Sequence, residues 1–321
     1  MSIFKHPIRI VRTKLLCELF KTQLYRKLVL ENPQRAIDLQ WIYNYGKWFP
    51  WNNPQTLNEK IQWLQVYSDT TLWSVYSDKY EVRNYIQKKG YKDILVKCYG
   101  VWNSVDEIDY NSLPDKFVIK CTHDSGSTYI VNKEKTDFKV LNQILKKHLE
   151  TPFGYFSCEP HYLRIKPRII AEELLENQND DGFMSSSLVD YKIWCFNGKP
   201  YIGLICYDRH RDATGHMKSV RDLYNLNPWK PCRDLMSLDC RNQNFRDVPQ
   251  PKNLERLLSI AEDLATGFPE VRVDFYNING RIFFGELTFT SNCGRSDLYS
   301  NEALLKMGDC INLDIIKQNK K

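Results

Sequence analysis

The segment that most constrains this chain is its last hairpin, residues 271–276 and 281–289, joined across Ile278-Asn279-Gly280. Side chains alternate along a strand, so the loop length decides which residues share a face. A two-residue Asn279-Gly280 loop sets Asp274 opposite Gly285 and turns Glu286 to the other face. A three-residue loop, with Gly280 in the left-handed conformation, sets Arg272 opposite Glu286 and Asp274 opposite Phe284. The three-residue register is the one expected. It gathers Arg272, Asp274, Glu286 and Thr288 on one face, and Val271, Val273, Phe275, Phe283, Leu287 and Phe289 on the other.

Two carboxylates with a neighbouring hydroxyl are hard oxygen donors suited to magnesium. An arginine beside them suits a phosphate oxygen, because its fork matches that geometry. The polar face therefore reads as a site for a metal-bound polyphosphate. The plainer reading is a cross-strand ion pair between Arg272 and Glu286.

Upstream, residues 1–76 read as mostly helical, with a Pro/Trp-rich interruption at 48–54 and a helix over 58–66. Ser77 is expected to cap a helix over 78–89 that stops at Gly90. Short strands follow at 117–120 and 129–131, separated by the turn Thr122-His123-Asp124-Ser125-Gly126-Ser127-Thr128. Successive amides in such a turn can form an anion nest, and Lys120 can reach a phosphate; an ordinary hairpin turn is the plainer reading. A strand over 169–175 ends in Glu172-Glu173-Leu174-Leu175, backbone that could meet a purine edge or simply end a strand. Residues 191–196 and 201–207 flank Asn197-Gly198, a hairpin signal. Pro251 opens a helix that closes near Gly267. Residues 208–250 show no readable pattern.

With 321 residues the chain can bury one large core or two modest ones. No apolar run approaches the ~20 residues of a membrane helix, and no secretory signal opens the chain. Ten cysteines without a C-x-x-C pair read as reduced thiols in a cytoplasmic protein. No His/Cys grouping has zinc spacing. A net charge of +6 does not call for nucleic acid. Part of it lies in Lys5, Arg9, Arg12, Lys14, Lys21, Arg26 and Lys27, interleaved with apolar residues. That pattern fits a helix packed on the body with a solvated basic face, or a peripheral contact with a membrane surface.

The order of these pieces resembles the ATP-grasp fold, and within it the TupA-type ATP-grasp family linked to cell-surface polysaccharide synthesis. The matching segments are LNEKIQWL, SDKYEVRNYI, LPDKFVIKCTHDSGSTYIV, PRIIAEELL, DYKIWCFNGKP, Asp208-Arg209 and VRVDFY…FFGELTFT, over roughly residues 55–310. The resemblance implies an α+β protein in which two subdomains with antiparallel sheets grip ATP. It divides the chain into a helical region (1–76), a first subdomain (77–165) and a second with the magnesium-binding hairpin (166–321). It implies that Lys79 and Lys120 contact ATP, and that the loop at Ser125, Gly126 and Ser127 closes over the phosphates. Glu172 would hold the adenine, with backbone from Leu174 and Leu175, and Asp190 the ribose. Arg272 would stabilise the transferred phosphate. Asp274 and Glu286 would hold magnesium, with Thr288 standing where the family commonly has asparagine.

The implied reaction joins a carboxylate to an amine through an acyl phosphate. The carboxylate would be that of a uronic acid or amino acid of a capsule or O-antigen precursor, held by cations among Lys192, Arg209, Arg211 and Lys218. Two other classes remain open. A glycosyltransferase of the same pathway would use an acidic pair such as Asp180-Asp181 on a nucleotide sugar. A non-catalytic assembly scaffold would use the aromatic-rich amino-terminal region.

Overall fold

The computed structural model describes residues 7–177, 182–212 and 217–314, with side chains from residue 12 onward. The chain begins with α1 (Pro7–Phe20), α2 (Gln23–Glu31) and α3 (Pro33–Tyr45). Thr22 and Asn32 cap α2 and α3 by accepting from backbone amides three residues on. Pro33 pre-sets the first turn of α3, and Gly46 ends it in the left-handed region. The apolar sides of these helices pack inward through Phe20, Tyr25 and Val29, and Gln40 ties Tyr25 to the Phe156 carbonyl. The basic residues Lys14, Lys21 and Lys27 are exposed. Past the interruption, α4 (Leu57–Tyr67) opens with a capping box between Thr56 and Glu59.

The helix expected over 78–89 is shorter and starts late. α5 (Thr71–Ser77) ends where a cap was expected, and α6 (Val82–Lys88) begins five residues later. The cause is Asp78, whose carboxylate accepts from the amides of Tyr80 and Glu81 at 2.8 and 3.2 Å. Such a local turn competes with helix. Arg168 pins it by bonding Asp78 and Glu81, each at 2.8 Å.

The first sheet holds β1 (Cys98–Trp102), β2 (Lys116–Cys121), β3 (Tyr129–Asn132) and, after α7 (Phe138–Glu150), β4 (Ile169–Glu173). Its order is β1-β4-β2-β3, all antiparallel. β4 thus lies beyond the expected 165/166 boundary yet is bonded between β1 and β2. Leu141 and Leu145 of α7 cover Phe117, Ile119 and Val131 on one face. Glu172 and Lys120 point from the other.

The second sheet comprises β5 (Asp190–Phe196), β6 (Lys199–Arg211), β7 (Met217–Leu226) and β8 (Trp229–Pro231). After α8 (Leu254–Ala265) come β9 (Glu270–Ile278) and β10 (Arg281–Thr288); α9 (Asn301–Asp309) follows. The order is β10-β9-β5-β6-β7-β8. α8 packs on β5, β6 and β9. Leu257, Ala261 and Leu264 share a core with fully buried Val271, Val273 and Phe275, each worth roughly 1.5–3 kcal/mol of transfer free energy.

The closing hairpin departs from its expected loop. Arg281 pairs with Ile278, so the turn is the two-residue Asn279-Gly280, with φ of 53° and 81°. Both positive φ values mark the tight turn whose twist matches the strands. Phe284 then faces Phe275 and Phe283 faces Tyr276, against the expected arrangement. A β-bulge at Gly285 inserts one residue and brings Glu286 opposite Asp274 and Thr288 opposite Arg272. The four polar side chains share one face after all, by a bulge and not by a longer loop. A Cβ at Gly285 would sit 3.0 Å from the Asp274 carbonyl, so the close approach suits glycine.

Candidate functional site

On the polar face, Arg272 lies between two acids. Its Nε and Nη2 donate to Asp274 Oδ1 and Oδ2 at 2.7 and 2.8 Å. Nη2 also reaches Glu286 Oε1 at 3.2 Å and Thr288 Oγ1 at 3.1 Å. Thr288 in turn donates to Glu286 Oε1 at 3.0 Å. Lys192, directly across the β5–β9 pairing from Asp274, donates to Asp274 Oδ2 and sits 3.8 Å from Asp190 Oδ1. Asp190 also accepts from Arg209.

Arg272 and Asp274 are buried and Lys192 nearly so, whereas the Glu286 carboxylate is 48% exposed. Burial alone would raise the Asp274 carboxyl. Arg272 and Lys192 outweigh it and hold the group at about 2. Burial would lower Lys192, but Asp190 and Asp274 push it up. The cluster is a fixed array of charges, two cations and two anions within one hydrogen-bonded group. Its donor set toward a metal, two carboxylates and a hydroxyl, is all oxygen and fits a hard divalent cation.

A cleft of about 750 Å³ opens between the two sheets. Lys79, Lys120 and Glu172 line it from one side, with Leu174 and Leu175 following at the hinge. Arg209, Arg211, Tyr276 and Gly285 line it from the other, and the last two belong to the strands that carry Asp274 and Glu286. Glu172 is held by Lys120 at 2.6 Å and Arg83 at 3.0 Å. Lys79 stands in the turn that Asp78 makes. Its amide donates to the Thr122 carbonyl at 3.2 Å and its ammonium to the Asp124 carbonyl. Burial pushes the Lys79 pKa down, opposed by Asp124 and Glu286.

Other expected residues are placed differently. Ser127 is turned inward; its hydroxyl bonds Asp124 and accepts from the Cys121 amide at 2.9 Å. Ser125 and Gly126 are exposed at the loop tip. Asp190 is buried against Arg209 and Lys192 and does not line the cleft, whereas Glu176 and Asn177 do. Lys218 is exposed, 4.0 Å from Asp212, and does not line the cleft. Asp180 and Asp181 lie outside the described residues. Sequence reasoning missed Arg83 and Arg168, and it read Lys192 as a substrate cation without its tie to Asp274. The signal for Lys192, a lysine two residues after Asp190 on one strand face, was present.

A search of curated proteins returns no significant match. Among solved structures, D-alanine–D-alanine ligase from Bacillus anthracis aligns at 12% identity and a TM-score of 0.41, covering 76% of this chain and 70% of its own. The L-amino acid ligase from Bacillus licheniformis aligns at 12% and 0.46, covering 83% and 57%. Both overlaps are loose, and the assignment does not rest on them. The family model described as TupA-like ATP-grasp matches residues 59–312, from α4 through α9, taking in both sheets, the cleft and the acid-bearing hairpin. This chain belongs to the TupA-like ATP-grasp family.

Proposed function

We propose that the chain is an ATP-dependent carboxylate–amine ligase, and that it acts on a uronic or amino acid in capsule or O-antigen synthesis. The observation that carries the reading is the cleft between the sheets, with Lys79 and Lys120 on one wall and, on the other, Tyr276 and Gly285 of the strands that also bear Arg272, Asp274 and Glu286, which are not themselves among the lining residues. Its volume of about 750 Å³ suits a nucleotide-sized ligand.

In this reading Leu174 and Leu175 offer backbone to the adenine, and Glu172, oriented by Lys120 and Arg83, accepts from its amino group. Glu176 and Asn177 take the ribose, and Asp190 positions Lys192 and Arg209. Lys79 and Lys120 neutralise phosphate oxygens, and the loop at Ser125 and Gly126 excludes water. Asp274, Glu286 and Thr288 would hold magnesium. When bound, the metal supplies charge neutralisation along the phosphates. Arg272, already fixed by two bonds to Asp274, stabilises the charge that develops on the transferred phosphoryl group and then on the acyl phosphate. Arg209 and Arg211 orient the substrate carboxylate for attack.

The test is phosphate release from ATP against panels of uronic acids, amino acids and amines. Release that requires both a carboxylate and an amine supports the ligase. Release of a nucleoside diphosphate from a nucleotide sugar instead sinks it. A peripheral membrane contact belongs to the same proposal. Exposed Leu15, Leu24 and Leu30 alternate with Lys14, Lys21 and Lys27 along α1, α2 and the turn between them. Among the described residues no helix is long and apolar enough to cross a membrane. Co-sedimentation with anionic vesicles, absent with neutral ones, is the expected result.

A further inference from the structure

A second group of metal-ligating side chains lies at the root of the loop, apart from the acids of the hairpin. Cys121 ends β2, and His123 and Asp124 follow it. All three are buried, and their sulfur, ring nitrogen and carboxylate oxygen lie within 4.8 Å of one another. His123 is 2% exposed, and neither ring nitrogen has a hydrogen-bond partner. Its ring faces backbone at the end of α7, near His148 and Thr151, without closing a bond of good geometry. A buried polar group left unsatisfied costs about 1–3 kcal/mol, so a buried imidazole with both nitrogens idle asks for a partner.

The surroundings suit a cation. The carboxylate of Asp124 is already aimed, with Oδ2 2.6 Å from His148 Nδ1 and Oδ1 accepting from Ser127. A carboxylate backed by histidine is the kind of outer contact that fixes metal ligands. The carbonyl end of α7 adds negative partial charge on the same side. Thiol, imidazole and carboxylate together are the donors of zinc, whereas the all-oxygen set on the hairpin is that of magnesium. The His148 side chain, 29% exposed, gives a path inward from solvent.

We propose that Cys121, His123 and Asp124 bind a zinc ion at the root of the loop, with His148 orienting Asp124 from α7. Binding converts the Cys121 thiol to a thiolate and releases its proton to solvent. The ligands have no zinc-motif spacing: Cys121 ends a strand, His123 and Asp124 follow it directly, and the residue that backs them, His148, comes from a helix 24 residues beyond Asp124. Its reach extends to the cleft: the Asp124 carbonyl holds the Lys79 ammonium, and the Thr122 carbonyl holds the Lys79 amide. Zinc would fix the segment from which the loop over the cleft must move.

The experiment uses the full chain, stripped with a chelator and then titrated with zinc against a chromophoric competitor and with cobalt by absorption. One equivalent of zinc and a thiolate-to-cobalt charge-transfer band are expected. Cys121→Ser removes the band. His123→Asn and His148→Gln each weaken zinc by about 10–100-fold, and Glu286→Gln leaves the titration unchanged. His148 is partly exposed, so its variant keeps the test alive if Cys121→Ser misfolds; circular dichroism checks both. A wild-type chain that shows no cobalt–thiolate band overturns the proposal. So does zinc binding of equal strength in the wild type, His123→Asn and His148→Gln.

Discussion

Replacing Asp274 by asparagine keeps the side chain's shape and removes its charge, and the structure says what that costs. The carboxylate is buried and accepts from Arg272 at 2.7 and 2.8 Å and from Lys192. These cations lower its pKa from 3.8 to about 2. A shift near two units corresponds to about 2.5 kcal/mol of folded-state preference for the ionised form. Removing one partner of a buried pair also leaves the other charge uncompensated, for which about 3–5 kcal/mol is typical. Asp274→Asn should therefore lose about 3 kcal/mol at pH 7, and loss of turnover in this variant would not isolate a catalytic role.

The sign follows from the depressed pKa. The stabilisation is fully present above about pH 4, the unfolded value, and is lost as pH falls through about 2. Urea unfolding followed by tryptophan fluorescence, at pH 7, 5 and 3, reads the difference between variant and wild type. The gap should be constant from pH 7 to 5 and narrow at pH 3. A variant as stable as wild type at pH 7, or a gap as wide at pH 3, would refute the reasoning.

Glu286→Gln is the cleaner probe of the metal face, because its carboxylate is half exposed. Stability should change by less than about 1 kcal/mol, while substrate-dependent phosphate release falls about a hundredfold; an unchanged rate argues against a metal role. Gly285→Ala puts a Cβ against the Asp274 carbonyl at 3.0 Å and should cost about 1–3 kcal/mol, read by the same unfolding assay; a neutral result means the bulge can relax. Glu270 is buried with both oxygens unpartnered, and burial raises its pKa well above the ordinary value. A raised carboxyl pKa takes stability away as pH climbs above about 4.5, at up to about 1.4 kcal/mol per pH unit. Glu270→Gln should thus match wild type near pH 4.5 and exceed it increasingly toward pH 8; a pH-independent difference contradicts this.

How far the sequence revealed the site depends on which contacts were local. The polar face of the hairpin was legible because alternation is a property of each strand. The loop that set its register was not, since Ile278-Asn279-Gly280 supports two turn lengths and the choice was made by Gly285. That glycine, isolated within a strand pattern, carried the signal of a bulge. The Ser77 cap failed because Asp78, one residue on, bonds the amides of its own turn. β7 was unreadable for a different reason. Its Asp222 is fully buried and neutralised by Arg233, so a core position looks like a surface one. The tie between Lys192 and Asp274 depends on β5 pairing with β9 across some eighty residues, which no local pattern encodes.

The helix α4 carries a consequence for how the chain is made. Gln62 donates to the Cys293 carbonyl at 2.6 Å, Asn58 exchanges two bonds with Ser296, and Lys60 reaches the Ile311 carbonyl at 2.9 Å. Those partners stand more than 230 residues later, just beyond the strand that bears Glu286. Until residues 293–311 are in place, these side chains of α4 can bond only to water, and the helix cannot bury that face. Closing contacts at such separation is slow, because the loop entropy must be overcome first. The packing of α4 therefore depends on the segment that follows the acid-bearing hairpin.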